Sequence, residues 1–226
     1  MAQVSEKKKP RKVLRKIMGA LVVLAVLGGL GVAYFLHTVN DGGTWRGREI
    51  PAYVSSVDKD GDGIDDQSDI LQNAKAYIAT NPTYQSKYYE GGYPDDEYGV
   101  CTDVVAFALR DAGYDLQALV DEDMRANPEL YENQTPDPNI DFRRVRNLRP
   151  YFSRHAIELT TERSDIDEWQ GGDIVIFTDH IAIVSDKRNR DGIPYLIHLN
   201  GTYQKNLEDN YLAVTPDTIT GHYRVS

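Results

Sequence analysis

The longest apolar stretch of the chain lies near its N-terminus and carries no charge from Ile17 to Leu36. Those twenty residues, at about 1.5 Å each in a helix, span the ~30 Å hydrocarbon core of a bilayer. A cleaved signal peptide has a shorter apolar stretch, of roughly 7–15 residues, and Gly31-Val32-Ala33 offers only a weak cleavage site. The length therefore favours an uncleaved signal-anchor over a cleaved signal peptide and over a buried soluble helix.

Beyond this stretch, helical periodicity comes first along the chain and strand periodicity afterwards. The pattern predicts helices over about 68–80, 101–112 and 142–148, then strands over 173–177, 180–184, 195–198 and 222–225. Helices followed by a run of strands indicate an α+β domain with helices packed on an antiparallel sheet. The predicted organisation is a basic tail over 1–16, a transmembrane helix over 17–36, a stalk over 37–57, an acidic loop over 58–69 and one α+β domain over 70–226.

Charge is distributed unevenly along the chain. Seven of the 25 Lys and Arg lie in the first 16 residues, opposed only by Glu6, which leaves a net charge of −16 in the remainder. The basic flank precedes the apolar run, so we expect a cytoplasmic N-terminus and an extracytoplasmic domain in a bacterial membrane. The acidic remainder repels phosphate backbones, so nucleic acid is not expected as a partner.

An acidic loop, DKDGDGIDDQSD, follows the predicted stalk. Its residues fit the ligand positions of an EF-hand loop, with Gly63 at the sharp turn. The candidate calcium ligands are Asp58, Asp60, Asp62, Ile64 (through its carbonyl), Asp66 and Asp69. The last ligand position is Asp rather than Glu, and Pro51 argues against a long entering helix, so the loop resembles the half-EF-hands of dockerin or thrombospondin type-three repeats. We expect a structural calcium ion, the alternative being a solvated acidic linker.

The single cysteine, Cys101, lies where a loop turns into a helix, and the positive end of a helix dipole stabilises a thiolate. A catalytic thiol also needs a base. His180 opens the strand His-Ile-Ala-Ile-Val, and His198 lies on the next strand. The other interpretation of a lone cysteine is a small buried apolar residue.

The order of these residues resembles a known family. A helix-opening Cys, a Gly-Asp strand, a strand that begins with His and a second His on the following strand are typical of the NlpC-type, papain-like peptidases of bacterial cell walls. More closely, five segments resemble the bacterial domain of unknown function 1287: GGYPDDEYGVCTDVV, NIDFRRVRNL, EWQGGDIVIF, DHIAIVSDKRN and ITGHYR. This resemblance implies a papain-like fold.

The resemblance also implies roles for individual residues. Cys101 would be the nucleophile, His180 the general base and acid, and His198 the group that orients the imidazole, with Asn200 the competing candidate for that third role. Tyr89 or Tyr93 could assist the backbone in binding an oxyanion. No cofactor is expected for catalysis.

One charged residue departs from the peptidase pattern, and a cluster of arginines has no counterpart in that pattern. Thr102-Asp103 replaces the usual Ser-Gly pair, and Asp103 would either bind a substrate amine or raise the thiol pKa. The cluster Arg143, Arg144 and Arg146 is either a solvated or salt-bridging face or a clamp for a substrate carboxylate.

These features predict a membrane-anchored cysteine hydrolase that cleaves amide bonds in peptidoglycan, as an endopeptidase or amidase. The alternative is a catalytically silent, calcium-dependent cell-wall-binding or scaffolding protein.

Overall fold

The computed structural model describes residues 10–132 and 135–225 as a mixed α+β protein. Its helices are α1 (Pro10–Asn40), α2 (Asp66–Ala79), α3 (Cys101–Asp111), α4 (Leu116–Ala126), α5 (Val145–His155) and α6 (Tyr211–Val214), with 3₁₀ turns at Pro128–Leu130 and Asp141–Arg143. Its strands are β1 (Thr83–Tyr84), β2 (Tyr98–Gly99), β3 (Ile157–Glu158), β4 (Ile174–Phe177), β5 (Ile181–Arg188), β6 (Pro194–Ile197), β7 (Glu208–Asp209) and β8 (Ile219–Arg224).

The first helix is longer than the predicted span at both ends. Lys16–Asn40 is long and apolar enough to cross a membrane, and none of its most apolar part is buried in the protein. This helix fits either a membrane anchor or a signal sequence. Most of the predicted basic tail, residues 1–9, lies outside the described residues. The helix continues through residues 37–40, which the sequence analysis assigned to the stalk.

Six strands form one antiparallel sheet in the order β3-β8-β4-β5-β6-β7. Alternation along β5 sends Ile181 and Ile183 towards the helices, whereas Ala182 and Val184 join a smaller cluster around Trp169 on the other face. The predicted antiparallel sheet is confirmed. β5 runs further than predicted, to Arg188, so the turn between it and β6 is shorter than the gap between the predicted strands over 180–184 and 195–198.

Helices α2 to α5 cover one face of the sheet, and α3 packs against both α2 and β5, whereas α6 lies on the other face. α2 begins at Asp66, earlier than predicted, because the carboxylate of Asp65 accepts the backbone N–H of Ser68 and caps the helix. α3 ends before Gly113, whose φ of +85° is the left-handed conformation that stops a helix. The sequence analysis did not predict α4, although its buried Leu116, Val120 and Met124 recur every four residues.

The segment between α1 and α2 contains neither helix nor strand from Asp41 to Asp65, and it lies against the domain. Gly42 N donates to the hydroxyl of Tyr195 at 2.9 Å, and Trp45 N donates to the carbonyl of Arg188 at 3.3 Å. Residues of β5 and β6 therefore bind the backbone within a few residues of the end of α1.

Candidate active site

Cys101 is the first residue of α3, and the local sequence fixes that helix start. Val100 is extended, and its backbone N–H donates to Oδ2 of Asp103, three residues into the helix, at 2.7 Å. Cys101 is partly exposed as a residue, and the backbone N–H groups of Ile181, Cys101 and Thr102 face its thiol closely enough to lower the thiol pKa. The contact with Ile181 matters because that residue directly follows His180. The structure therefore brings the thiol beside the start of β5.

His180 is joined to two further buried residues in a chain of hydrogen bonds. Its Nε2 lies 2.7 Å from Nδ1 of His198, and Nε2 of His198 lies 3.0 Å from Oδ1 of Asp209. All three side chains are buried. Sequence analysis predicted the two histidines but missed Asp209, which lies on the two-residue strand β7. The pairing of β6 with β7, with Ile197 opposite Glu208, brings this carboxylate to His198.

This chain determines which nitrogen of each imidazole carries a proton. A carboxylate only accepts, so Nε2 of His198 donates to Asp209, and its Nδ1 in the neutral ring is an acceptor. His180 must then donate from Nε2. The remaining nitrogen of His180, Nδ1, carries a free lone pair and can accept a proton. We call this buried chain of hydrogen bonds, His180–His198–Asp209, the relay. It leaves His180 as a base whose tautomer is fixed.

Burial sets the protonation states of the thiol and the imidazole. It raises the pKa of Cys101 to about 11, despite the three backbone N–H groups that oppose this shift. Burial, and secondarily the neighbouring His198, holds the pKa of His180 well below its ordinary value. Near pH 7 both groups are therefore neutral. Among the described residues, no hydrogen bond joins Cys101 directly to His180. The thiol instead faces the backbone N–H of Ile181, the residue that follows His180.

Asp103 forms a buried ion pair instead of facing a substrate. Arg143 donates from Nε to Oδ1 of Asp103 at 2.6 Å and from Nη2 to Oδ2 at 2.9 Å. Arg143 also donates to the carbonyl of Lys87, and its own carbonyl accepts from Thr102 Oγ1. Both charges are thus committed to holding the loops around the start of α3. Asp103 raises the thiol pKa, as one of the two sequence alternatives expected, but burial contributes more.

The other two arginines of the cluster also form salt bridges: Arg144 with the buried carboxylate of Asp141, and Arg146 with Glu132 at the surface. All three arginines thus pair with acidic side chains of the protein, as in the salt-bridging alternative, and do not form a clamp for a substrate carboxylate.

The remaining polar candidates lie away from the relay or have other partners. Asn200 is exposed and its side chain reaches Tyr211, so His198 and not Asn200 contacts His180. Tyr89 donates its hydroxyl to Asp96. Tyr93 packs on Phe107, well along α3 from the thiol.

The acidic loop gathers part of the predicted ligand set. Asp58, Asp60 and Asp62 are exposed, and their ligand oxygens lie within 4.8 Å of one another. Burial, followed by the charges of Asp60 and Asp62, raises the pKa of Asp69 to about 6, so this carboxylate faces the same cluster. The carboxylate of Asp66 instead accepts from the backbone of Lys59 and the hydroxyl of Tyr114.

The loop backbone is shaped by the same carboxylates. Asp58 accepts the backbone N–H groups of Gly61 and Gly63, and Asp62 accepts that of Ile64. Gly61 and Gly63 have φ values of +79° and +95°, which few other residues adopt. Calcium–oxygen distances of about 2.3–2.6 Å place ligand oxygens at most about 5 Å apart, so the three exposed carboxylates fit one ion.

Comparisons with known proteins agree on one uncharacterised family. A family model described as "Domain of unknown function (DUF1287)" matches residues 71–225. The chain is also 41% identical over 155 residues to the "Uncharacterized protein YijF" of Escherichia coli (strain K12), an alignment that covers 64% of this chain and 72% of the relative. No solved structure matches the chain significantly. The matched residues include Cys101, His180, His198 and Asp209, whereas the acidic loop precedes them. The chain belongs to the family of domain of unknown function 1287.

Proposed function

We propose that this protein is a membrane-anchored cysteine hydrolase of the papain-like, NlpC type, which cleaves amide bonds in peptidoglycan outside the cytoplasm. The observation that carries the proposal is the convergence of a helix-opening thiol with a buried relay. The backbone N–H next to His180 contacts the thiol, and His180 continues through His198 to Asp209. A buried structural cysteine has no need of this arrangement.

The protonation states favour general-base activation over a preformed ion pair. The thiol is protonated and His180 is neutral, so the proton of Cys101 moves to Nδ1 of His180 as sulfur attacks the carbonyl carbon. The imidazolium formed is stabilised through His198 by the carboxylate of Asp209. His180 then returns the proton to the leaving amine, and water releases the acyl group from sulfur. The backbone N–H of Cys101, at the positive end of α3, is suited to the oxyanion.

Digestion of purified peptidoglycan by the full-length protein in detergent tests this proposal. Wild type should release soluble fragments with new amino termini, and Cys101→Ala and His180→Gln should not. His155→Gln is the matched control, because His155 is a partly exposed histidine paired with Asp123, outside the relay. Equal release by wild type and Cys101→Ala, or none by either, would refute the hydrolase and favour the catalytically silent wall-binding protein. The raised thiol pKa is the observation that favours this second candidate.

The location is part of the same proposal. The basic residues that precede Ile17 support a cytoplasmic N-terminus and a candidate site outside, where peptidoglycan lies. Fusion of a reporter that is active only outside the cytoplasm to the C-terminus tests this orientation, and an inactive reporter would contradict it.

The acidic loop supports a separate proposal, a structural calcium ion. Asp58, Asp60 and Asp62 supply oxygens at a spacing that suits calcium, and Asp69 adds a buried carboxylate whose charge is unfavourable without a cation. Calcium titrated into the full-length protein by calorimetry should bind, and Asp58→Asn with Asp60→Asn should abolish the heat. Asp191→Asn, an exposed acidic residue in the turn after β5, serves as control. Absence of both heat and a melting shift would refute the ion site.

A further inference from the structure

A cavity of about 240 Å³ lies between the last turns of α1 and the His198–Asp209 end of the relay. The membrane helix and the domain each contribute a wall. The walls include Phe35, Leu36 and Val39 from α1 and Tyr203, Tyr211 and His198 from the domain. Asn40, Asn200, Gln204, Lys205 and Asp209 also line the cavity, but most of the exposed lining surface is apolar or aromatic carbon, so the cavity favours an apolar occupant.

Hydrogen bonds fix the two walls of this cavity against each other. The backbone N–H of Asn210 donates to the carbonyl of Val39 at 2.8 Å, and its side-chain amide donates to the carbonyl of Thr38 at 3.1 Å. Asn206 donates to Oδ1 of Asn40 at 2.8 Å. Asn210 is the neighbour of Asp209, so the end of α1 is attached directly beside the relay.

The apolar surface of α1 runs without interruption into the cavity. Phe35 and Leu36 line the cavity and are also partly exposed, at 39% and 38%, like the rest of the apolar helix before them. With α1 in a bilayer, that exposed surface meets hydrocarbon. On the domain side, Tyr203 lies at the rim of the cavity and is 90% exposed, so it adds to the apolar surface at the entrance. An apolar chain can therefore pass from the bilayer into the cavity along α1.

The cavity lies close to the candidate base, separated from it by Tyr211 and His198. The ring of Tyr211, one of its walls, lies 5.0 Å from the ring of His198 and 5.7 Å from that of His180, measured between centroids. An apolar ligand chain that packs on Tyr211 is thus separated from the candidate base, His180, by one aromatic ring.

We propose that this cavity is a subsite for the apolar chain of a membrane-anchored substrate, so that the site acts on amide bonds in lipid-linked peptides. This inference rests on the proposed hydrolase function and on α1 remaining attached as the anchor. The volume is below the ~300–1,000 Å³ of sites that enclose a whole ligand, so the cavity takes a segment of the chain while the rest stays in the bilayer.

Gly201 offers a way to fill the cavity. It lines the cavity, a Cβ built on it meets no atom within 4 Å, and its φ lies outside the left-handed region. Gly201→Trp should therefore occupy the space without straining the backbone. Gly91→Trp is the matched control, because Gly91 is equally open and exposed but lies in the loop before α3.

The kinetic experiment uses the full chain in phosphatidylcholine nanodiscs and one peptide amide in two forms, palmitoylated and acetylated. In wild type and in Gly91→Trp, kcat/KM should be at least tenfold higher for the palmitoylated peptide. In Gly201→Trp this ratio should fall at least fivefold. Because the two peptides are compared on the same preparation, partial misfolding of a variant does not change the ratio.

The outcomes separate this inference from the proposed function. A ratio near one in wild type, or an elevated ratio that Gly201→Trp leaves unchanged, overturns the subsite, because simple partition into the bilayer or occupation by bulk lipid would then explain the result. No cleavage of either peptide by wild type would instead refute the hydrolase.

A second measurement does not depend on turnover. A palmitoyl peptide with a diazirine in its chain, photolysed with full-length Cys101→Ala, should label residues 200–211, and adding Gly201→Trp should reduce that labelling at least fivefold. Labelling confined to residues 17–34 would show that the acyl chain stays in the bilayer and would refute the subsite.

Discussion

The buried ion pair between Arg143 and Asp103, close to the candidate nucleophile Cys101, gives a direct test of what stabilises the candidate site. Arg143→Met removes the guanidinium that binds both oxygens of Asp103 while keeping most of the apolar stem. The side chains of Arg143 and Asp103 are only 2% and 0% exposed. Water therefore cannot replace the lost partner, and Asp103 is left as a buried carboxylate whose remaining donor is the backbone of Val100.

The magnitude follows from this burial. Removing one partner of a buried ion pair costs about 3–5 kcal/mol, because the other charge stays desolvated and unpaired. For a domain of this size, 1 kcal/mol corresponds to about 2–4 °C in melting temperature. Arg143→Met should therefore lower the melting temperature by about 6–20 °C. Arg143 also holds the carbonyl of Lys87, so the loop before α3 should loosen as well.

Thermal unfolding of the full-length protein in detergent measures the effect. Trp169 is fully buried, so its fluorescence reports the loss of the domain core. Arg146→Met is the matched control, because Arg146 is 52% exposed and lies 4.0 Å from an exposed Glu132, a pair worth at most about 1 kcal/mol. A double variant, Arg143→Met with Asp103→Asn, should recover at least about 1 kcal/mol, since it removes the unpaired charge but keeps an acceptor for Val100.

A loss below about 1 kcal/mol for Arg143→Met, equal to that of Arg146→Met, would refute the reasoning. It would mean that the Asp103 carboxylate reaches solvent or another cation in solution. A double variant less stable than Arg143→Met would contradict the charge argument specifically, because shape rather than charge would then dominate.

Three further predictions concern the site and the acidic loop. Alkylation of Cys101 by iodoacetamide should accelerate about tenfold per pH unit from pH 7 to 10, because burial raises its pKa to about 11; a plateau by pH 8 would show a thiolate instead. Asp209→Ala should lower kcat on peptidoglycan about 10²-fold, with KM unchanged, because His198 loses its acceptor; activity equal to that of His155→Gln would contradict the relay. The pKa of Asp69 is raised to about 6, so the calcium-free protein loses stability as pH rises from about 4 to 6. Calcium should therefore raise the melting temperature more at pH 7.5 than at pH 5, and an equal rise at both would exclude Asp69 from the ion site.

The parts of the fold that sequence could predict are those with strong local periodicity. The start of α3 at Cys101 and the strand after His180 follow from apolar spacing and from turn residues. The α+β class follows from the order of these elements. The helix ends were less accurate, because capping by Asp65 depends on a carboxylate just outside the apolar pattern.

The contacts that define the site could not be predicted in the same way. Asp209 lies on a two-residue strand that has no periodicity of its own, and its position depends on pairing with β6. Asp103 and Arg143 are separated by 40 residues, so nothing local indicates that they neutralise each other. The helix dipole led us to expect a lowered thiol pKa, but burial outweighs it, and burial is a property of the assembled core.

The attachment of α1 to Asn210 also limits where this protein can act. A flexible tether of ~20 residues would let a domain wander roughly 25 Å from its anchor. Here the helix ends within hydrogen-bonding distance of the residue next to Asp209. With α1 in a bilayer and the proposed hydrolase activity, the thiol would work at one fixed height, close to the lipid headgroups, and would not reach deeper layers of the wall. Such an enzyme would search in two dimensions, so its rate would depend on the number of copies per area of membrane and on how fast substrate diffuses laterally to it.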